Sequence, residues 1–436
     1  MHLIPPEILL QIFDYLDGPA PSEMRLHDQP SLELLAARPG WSGTPLKATS
    51  LVSRSWRCLA LPYLFRHVLW RHDPSGSSYP HPRPLLRFLT QNCLAHHVVT
   101  VTMVVGVCDP DPASSDYRFT PPWLWPDHGW VWDRLFSVID PLRFTILAQP
   151  TNLAVLLSRM LFLDYGWPFD MPYHILSLAR TNRQIPARGG FDNSPESAPS
   201  RARVPVPPAA STLPIRATPS TVETRPPVHC PLFTIRPWTS LLLNEGSSAK
   251  VYRVYEFFMR RPPSVLGALL GCEEYPNSTS LIPQTIVDFN YIAVFPLSSH
   301  ITVLVENLPR IRRLFVQLSP KPGSGILENT DEMKYIDPAD LWMERDMSYR
   351  NLMNHLTFTN DLHINWGLLQ VFESGDTADK EVWEMAVQYL DRDGVQDWRA
   401  MREGVFVKLL DDGESSAWTD EVNGHVGGFA STSNVT

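Results

Sequence analysis

The chain has 436 residues and a formal net charge of −9, and apolar residues make up 44% of it. A chain of this length and composition can bury a sizeable core and is expected to form two or three structural units. The acidic balance argues against a nucleic-acid or anionic-membrane partner. The five cysteines are scattered without CxxC spacing, which argues against a disulfide framework and favours a reducing compartment.

The chain start and the apolar runs argue against export and against a membrane span. The first residues, MHLIPPEILLQIF, contain no basic region and no small-residue cleavage site. The longest apolar stretches, such as Val98–Val107, have strand length and fall short of the ~18 residues that cross a bilayer. We therefore expect an intracellular protein of the cytoplasm, the nucleus or both, with no membrane partner.

An amphipathic helix is predicted close to the N-terminus. Pro5 and Pro6 suit the first turn of a helix, where backbone amides have no helical partner, and Glu7 suits the positive end of the helix dipole. Gly18 and Pro19 end the helix. Between these limits, apolar residues recur at the spacing of one helix face; they are Ile8, Leu9, Ile12, Phe13 and Leu16.

Two further short helices are predicted after a proline-rich stretch. The second covers Ala48–Leu59, and the third begins at Pro62 after a break at Ala60-Leu61. Their apolar positions include Leu51, Val52, Trp56, Leu64 and Phe65. Three short helices make only a marginal core, and such a unit commonly presents apolar surface to a partner.

The order and helical phase of these segments resemble the F-box. The residues that carry the resemblance are Ile4-Pro5-Pro6-Glu7-Ile8-Leu9, Ile12-Phe13-x-Tyr15-Leu16, Leu51-Val52-Ser53-Arg54-Ser55-Trp56-Arg57-x-Leu59-Ala60 and Pro62-x-Leu64-Phe65-Arg66. Ile4 stands where the family usually has leucine, which is a volume-conserving change. The connection between the first two helices, residues 17–46, is longer than usual and rich in proline. We expect it to loop out, because a long loop costs little closure entropy.

The F-box resemblance implies a non-catalytic substrate receptor of an SCF-type cullin–RING ubiquitin ligase. The F-box would bind the Skp-type adaptor, and the remainder of the chain would hold a protein substrate of unknown identity. No catalytic residue, cofactor or metal is implied. Carried over by position, the adaptor-binding residues are Ile4, Pro5, Glu7, Ile8, Leu9, Ile12, Phe13, Leu16, Leu51, Val52, Trp56, Leu64 and Phe65. Several of them, Trp56 and Ile12 above all, could instead form the three-helix core, and the sequence leaves this open.

The region after the predicted F-box alternates strands and helices. One predicted unit has strands over 285–295 and 313–318 around a helix over 298–308, and a second has strands over 368–372 and 405–409 around a helix over 378–390. Earlier strands are predicted over 98–105 and 143–147. This alternation favours a mixed α/β fold with a largely parallel sheet. An irregular leucine-rich-repeat-like arc is the specific prediction, although the LxxLxLxxN pattern is missing, and a compact α/β domain is the alternative.

Composition divides the chain into five parts. We predict an F-box domain over residues 1–70 and an α/β substrate-recognition region over 71–181 and 238–413. Residues 182–237 are rich in Pro, Ser, Ala and Arg and almost free of aromatics, so we predict a disordered insertion there. Residues 414–436 form a loose tail. The recognition region also resembles fungal F-box proteins of unassigned substrate, on the segments 263–274, 293–300 and 314–320.

Little in the sequence points to catalysis. The GxSxG, GxxxxGK[ST] and HExxH motifs are missing from it. Histidines at 67, 72 and 81 and the pair at 96 and 97 suit packing or surface roles better than a metal site. The tryptophans at 123, 125, 130 and 132 suggest a packed core more than a recognition surface. A scaffold that binds the adaptor without ligase output, and an enzyme in the α/β region, are the alternatives; an enzyme would need a pocket with convergent titratable groups.

Overall fold

The computed structural model describes residues 4–32, 45–72, 82–106, 129–161, 173–183, 229–357, 364–392 and 397–409. The helices at the N-terminus are α1 (Pro6–Leu16), α2 (Pro21–Met24), α3 (Pro45–Thr49) and α4 (Arg54–Leu64). The later helices are α5 (Arg83–Gln91), α6 (Gly129–Val138), α7 (Pro150–Leu156), α8 (Leu266–Leu270), α9 (Ser298–Glu306), α10 (Thr330–Met333), α11 (Pro338–Thr357), α12 (Ile364–Gly367) and α13 (Lys380–Arg392). Short 3-10 helices cover Ala95–His97, Pro231–Phe233, Ala249–Arg253 and Phe257–Met259.

The strands of the described ranges form one mixed sheet. They are β1 (His67–His72), β2 (Thr100–Val105), β3 (Arg143–Ala148), β4 (His174–Ala179), β5 (Ser240–Ser247), β6 (Asp288–Val294), β7 (Arg313–Gln317), β8 (Val371–Ser374), β9 (Trp398–Arg402) and β10 (Val405–Lys408). Their spatial order is β1-β2-β3-β4-β5-β6-β7-β8-β10-β9, so almost every strand lies beside its neighbour in sequence. The sets β1-β2-β3 and β5-β6-β7-β8 are parallel. The other pairings are antiparallel.

The main core lies between one face of this sheet and the helices. Phe289 and Tyr291 of β6 and Leu314 and Val316 of β7 belong to it, together with buried residues of α9 and α11. The opposite face of the central strands is also buried over part of its area. Covering on both faces explains why β2, β3 and β5 are buried almost continuously rather than at every second residue.

The predicted mixed α/β fold behind N-terminal helices is confirmed. The two predicted strand–helix–strand units correspond to β6-α9-β7 and β8-α13-β10. The expectation of a largely parallel sheet holds only in part: five of the nine pairings among the described strands are parallel, but β4 is antiparallel to both of its neighbours, and β10 is antiparallel to β8 and β9. Sequence reasoning misses β4 because a short apolar run such as HILSLA does not distinguish a strand from a buried helix segment.

The second and third N-terminal helices differ from the prediction. α3 ends at Thr49, and α4 runs from Arg54 to Leu64, so the predicted helix over Ala48–Leu59 is two helices. The hydroxyl of Ser53 accepts a hydrogen bond of 3.1 Å from the backbone N–H of Trp56 and thereby caps the start of α4. Pro62 lies inside α4 rather than starting a new helix.

The connection between α1 and α3 packs on the sheet over its described part, residues 17–32, and the expectation that it loops out is wrong there. Leu26 is only 6% exposed. It covers the face of the sheet opposite the main core and contacts a cluster that takes one residue from each strand of β2–β7: Val104, Leu147, Ile175, Leu242, Ile292 and Phe315. Sequence reasoning misses this docking because a single apolar residue among prolines has no periodicity.

Two predicted domain limits also change. β1 begins at His67 and pairs with β2, so the sheet starts inside the range 1–70. Residues 229–237 are folded rather than part of a loose insertion. Leu232 and Phe233 are buried there, and the carbonyl of Leu232 accepts a 2.8 Å hydrogen bond from the indole N–H of Trp238. Residues 184–228 and the predicted tail lie outside the described residues.

The aromatic and histidine motifs are only partly described. Trp132 is fully buried against Phe144, which agrees with the packing interpretation. Trp123 and Trp125 lie outside the described residues, as does His81. The ring of His67 hydrogen-bonds to the hydroxyl of Thr100 at 2.9 Å. In the described ranges, no group of three or more His, Cys, Asp or Glu residues is arranged to hold a metal ion.

Candidate functional site

The first helix has two apolar faces in different surroundings. Leu9 and Phe13 are buried in a small core with Leu46 and Ala60 of α3 and α4, and Leu16 packs against it. A second set of apolar residues is exposed to solvent and is named here the α1 stripe: Ile4, Ile8, Ile12 and Tyr15. Within α1, spacings of four and three residues align Ile8, Ile12 and Tyr15 along one face, and Ile4 lies just before the helix begins. The α1 stripe therefore lies beside the buried face and is not part of it.

The turn between α3 and α4 presents two more exposed apolar side chains, Leu51 and Val52. Trp56 and Leu64 are half-buried and pack against the small core of α1, α3 and α4. Phe65 packs instead against the main core, where its ring centroid lies 5.0 Å from that of Phe88. The exposed pair is a second apolar element on the surface of the N-terminal helices.

The residues that the sequence predicts to bind the adaptor thus fall into an exposed group and a buried or half-buried group. The exposed members are Ile4, Pro5, Glu7, Ile8, Ile12, Leu51 and Val52. The buried or half-buried members are Leu9, Phe13, Leu16, Trp56, Leu64 and Phe65. The alternative that Ile12 forms the helix core is not supported by its exposure, whereas Trp56 does pack against that core. Tyr15, which occurs in the resemblance but not among the carried-over residues, is 90% exposed.

Aromatic contacts hold the small helical core together. Phe13 meets the rings of Trp56 and Tyr63 edge-on, with centroid separations of 6.1 and 6.3 Å. The guanidinium of Arg66 also pairs with the carboxylate of Asp17 at 2.8 Å, which joins the end of α4 to the end of α1. The core is small, so its stability depends on a few large side chains.

The N-terminal helices are joined to the sheet at two places. α4 leads directly into β1 at the edge of the sheet. The connection forms the second joint: the side-chain amide of Asn244 on β5 donates 2.8 Å hydrogen bonds to the carbonyl oxygens of Leu26 and Asp28. Asn244 is fully buried, so these two bonds satisfy a polar group that would otherwise destabilise the strand. The geometry fixes where the helices sit relative to the sheet.

A group of buried polar side chains lies near the C-terminal end of the central strand β5, beside the connection. One oxygen of the Glu245 carboxylate accepts hydrogen bonds from Tyr291 at 2.8 Å and from the ring of His300 at 3.1 Å. The other oxygen accepts from the hydroxyl of Ser264. That hydroxyl also accepts a 3.0 Å bond from the backbone N–H of Leu266. Ser264 directs its proton to a carboxylate rather than to an imidazole, so these groups do not form the serine–imidazole pair of acyl-transfer enzymes.

Sequence reasoning does not find this group, because its members come from β5, β6, α9 and a loop. The available signal is the pair Asn244-Glu245, two polar residues at the end of the otherwise apolar run SLLLNEGS. Burial would raise the pKa of Glu245, but the hydrogen bonds from His300 and Ser264 outweigh burial and lower this pKa to about 2. The carboxylate is therefore ionised at neutral pH.

The described helices include none that is long and apolar enough to cross a membrane. The chain therefore has a small helical unit with an exposed apolar stripe, fused to a large α/β sheet. Residues 1–71 match the F-box-like family model, so the chain carries an F-box-like domain at its N-terminus. Comparisons with curated proteins and with solved structures found no match.

Proposed function

We propose that the protein is the substrate receptor of an SCF-type cullin–RING ubiquitin ligase and is not itself an enzyme. Its F-box binds the Skp-type adaptor inside the cell, and its α/β region holds a protein substrate. The observation that carries the proposal is the exposed α1 stripe in a segment that matches the F-box-like family. Exposed apolar surface of this kind is typical of a binding site for a partner protein.

The proposed adaptor contact consists of the exposed set of the N-terminal helices. Ile8 and Ile12 of α1 and Leu51 and Val52 of the α3–α4 turn make the apolar part of the contact. Leu9, Phe13 and Trp56 support it from below by holding α1 against α4. Leu9→Asp and Phe65→Asp are therefore poor tests of the interface, because both substitutions would place a charge inside a core.

The α/β region is proposed to act as a rigid platform for the substrate. Its strands follow one another across the sheet nearly in chain order, which supports an arc of strand–helix units of the leucine-rich-repeat kind. The ligase mechanism needs no covalent chemistry from this chain: holding a substrate near the charged conjugating enzyme raises the effective concentration of the substrate's lysines. The two joints between the F-box helices and the sheet would keep that distance constant.

We expect Ile8→Asp to abolish a one-to-one complex with the Skp-type adaptor, and Val52→Asp to weaken it at least tenfold. Either substitution would place an unpaired charge in an apolar interface. The matched control is Leu10→Asp, because Ile8 is 45% exposed and Leu10 is 37% exposed on the same helix. Leu10 lies roughly 160° around the helix from Ile8. Co-purification followed by size exclusion with light scattering measures the complex.

Three outcomes of this experiment separate the hypotheses. Loss of the complex with Ile8→Asp but not with Leu10→Asp supports the α1 stripe as the contact. Equal adaptor binding by all variants would contradict the proposed interface, provided that each variant has the melting temperature of the natural chain. An adaptor complex that fails to recruit cullin would instead identify a scaffold that acts outside ubiquitin ligation.

A further inference from the structure

A cavity of about 350 Å³ opens between the connection and the edge of the sheet. Gln29 and Pro30 of the connection form one wall, and His174 and Glu245 form another. His174 begins β4 and Glu245 lies near the end of β5; these strands are antiparallel, so the two residues meet at the same edge. The volume lies in the range of sites that accept a small molecule or one large side chain.

His174 has a buried polar atom without a partner. The residue is 2% exposed, and no described residue hydrogen-bonds to its Nδ1 atom. This nitrogen lies 4.0 Å from Oε1 of Glu245, which is too far for a hydrogen bond. Burial lowers the pKa of His174 to about 4 despite the charge of Glu245, so the ring is neutral at neutral pH. In the tautomer that carries its proton on Nε2, Nδ1 accepts a hydrogen bond.

The two acceptors call for a ligand that donates hydrogen bonds. Oε1 of Glu245 holds the hydroxyl of Ser264 and has a second acceptor position, and Nδ1 of His174 lies 4.0 Å away. One nitrogen that bears several protons can donate to both, each at the usual distance of about 2.9 Å. An unpaired buried acceptor is costly, so a ligand that satisfies it gains affinity.

The charges around the cavity favour a cation. Glu245 and Glu332 line it with two carboxylates, and Lys250 lines it with one ammonium group, which leaves one net negative charge among the three. Glu245 is also the buried member of the set, and an anion placed against a buried carboxylate would be repelled strongly. A lysine ammonium or an arginine guanidinium has both the charge and the donors that the site needs.

The loop beside the cavity indicates that the cation belongs to a protein. Val251 and Pro263 line the cavity from the two ends of this loop. Between them, the loop carries three large apolar side chains, Tyr255, Phe258 and Met259, that are mostly exposed to solvent. Exposed aromatic and methionine side chains beside a pocket suit the residues that flank a side chain in a bound peptide.

We propose that this cavity binds a lysine or arginine side chain of the protein partner, held between the Glu245 carboxylate and Nδ1 of His174. The neighbouring apolar side chains of the loop contact the flanking residues of the same partner. The inference deepens the proposed function and rests on it, because the partner that it describes is the ligase substrate. A basic side chain inside an apolar context would then be part of the recognition signal.

The test uses the full chain and small probes that differ in charge. The cationic probes are N-acetyl-arginine amide and the tripeptide acetyl-Leu-Arg-Phe-amide; the neutral counterpart is N-acetyl-citrulline amide, which has nearly the same shape. Binding is followed by NMR of histidine Cε1–H signals, with the His174 signal assigned from His174→Gln. We expect the cationic probes to shift this signal in a saturable way and the citrulline probe to do so at least tenfold more weakly. Equal binding by the two, or no shift at saturating probe, would overturn the proposal and leave a cavity that holds only water.

Three substitutions sharpen the test. Glu245→Gln should weaken binding of the arginine probe about 30-fold or more, since it removes the buried charge opposite the cation. Glu328→Gln is the matched control, because it removes an exposed carboxylate outside the cavity and should leave binding unchanged. Lys250→Met removes the ammonium group that repels the probe, and we expect it to tighten binding by about threefold. Weaker binding by Lys250→Met would contradict the proposal, and this gain cannot arise from misfolding.

The source of the cation and the proposed function are tested separately. Agmatine carries the same guanidinium without peptide groups, so tighter binding of the tripeptide than of agmatine supports a protein ligand, and the reverse would assign the cavity to a free amine. Phe258→Ala should weaken binding of the tripeptide and leave binding of agmatine unchanged. Ile8→Asp should leave all probe binding unchanged, and Glu245→Gln should leave the adaptor complex unchanged. Failure of one proposal is therefore distinguishable from failure of the other.

Discussion

Replacing Leu26 by aspartate should release the connection from the sheet and lower the free energy of unfolding by about 3–5 kcal/mol. The side chain covers an apolar cluster drawn from six neighbouring strands. A carboxylate at that place has no cation opposite it among the apolar residues of the cluster, and the contacts of the leucine are lost as well. Urea unfolding of the full chain, followed by tryptophan fluorescence, measures the loss.

Met24→Asp is the matched control for Leu26→Asp. Met24 lies two residues earlier in the same connection and is 59% exposed, so the same charge there should change stability by no more than about 0.5 kcal/mol. Trypsin cleavage after Arg25 gives a local readout, because cleavage follows the population of the opened connection. Faster cleavage in Leu26→Asp only is expected. Equal stability and equal cleavage in the two variants would mean that the docked connection contributes nothing.

Acidification should loosen the same joint. The ring of His27 lies against that of Phe315, with centroids 4.8 Å apart and an interplanar angle of 38°. Burial, together with the positive charges of Lys321 and Arg143 and against the opposing charge of Asp28, lowers the pKa of His27 to about 4. Between pH 6.5 and 4 the unfolded chain binds a proton at this ring that the folded chain does not, so stability falls as the pH falls through that window. By pH 4.5 the loss from this one group is about 2.5 kcal/mol.

His27→Phe keeps an aromatic ring against Phe315 and removes the titration. We expect the variant to lose about 2.5 kcal/mol less than the natural chain when the pH falls from 7 to 4.5. His96→Phe, at an exposed histidine outside the connection, is the control and should follow the natural chain. The buried His174 titrates in the same direction, so some acid sensitivity should remain. Parallel stability curves for the natural chain and His27→Phe would show that the joint is not the acid-sensitive element.

The F-box illustrates how far local sequence carries a prediction. The proline pair, Glu7 and the apolar spacing of α1 are short-range signals, and each agrees with the helix that forms. The same spacing cannot separate Leu9 from Ile8, because both are apolar and adjacent in sequence. Leu9 is buried and Ile8 is exposed because α3 and α4 cover only the face that contains Leu9. Which apolar residues of α1 stay exposed is therefore a property of the packed unit.

The connection and the cavity show the opposite limit. Leu26 packs against residues of six strands. Asn244, which hydrogen-bonds to the carbonyl of Leu26, is more than two hundred residues away in sequence. Gly246, at the end of β5, has a φ of +71° and would place a Cβ atom 3.1 Å from Pro30, so the backbone there also needs glycine to let the connection approach. These are long-range contacts that leave no periodic pattern in either partner.

By itself, the sequence determined that this chain begins with an F-box-like domain and continues into a mixed α/β region, because helical spacing and strand composition are local consequences of side-chain shape and polarity. Only the tertiary structure decided that β4 reverses in the sheet, that the long connection docks instead of looping out, and that Glu245 and His174 share one cavity. Each of these features depends on which residues, far apart in sequence, bury their apolar surfaces against one another. Burial of that kind is a property of the assembled sheet and not of any segment within it.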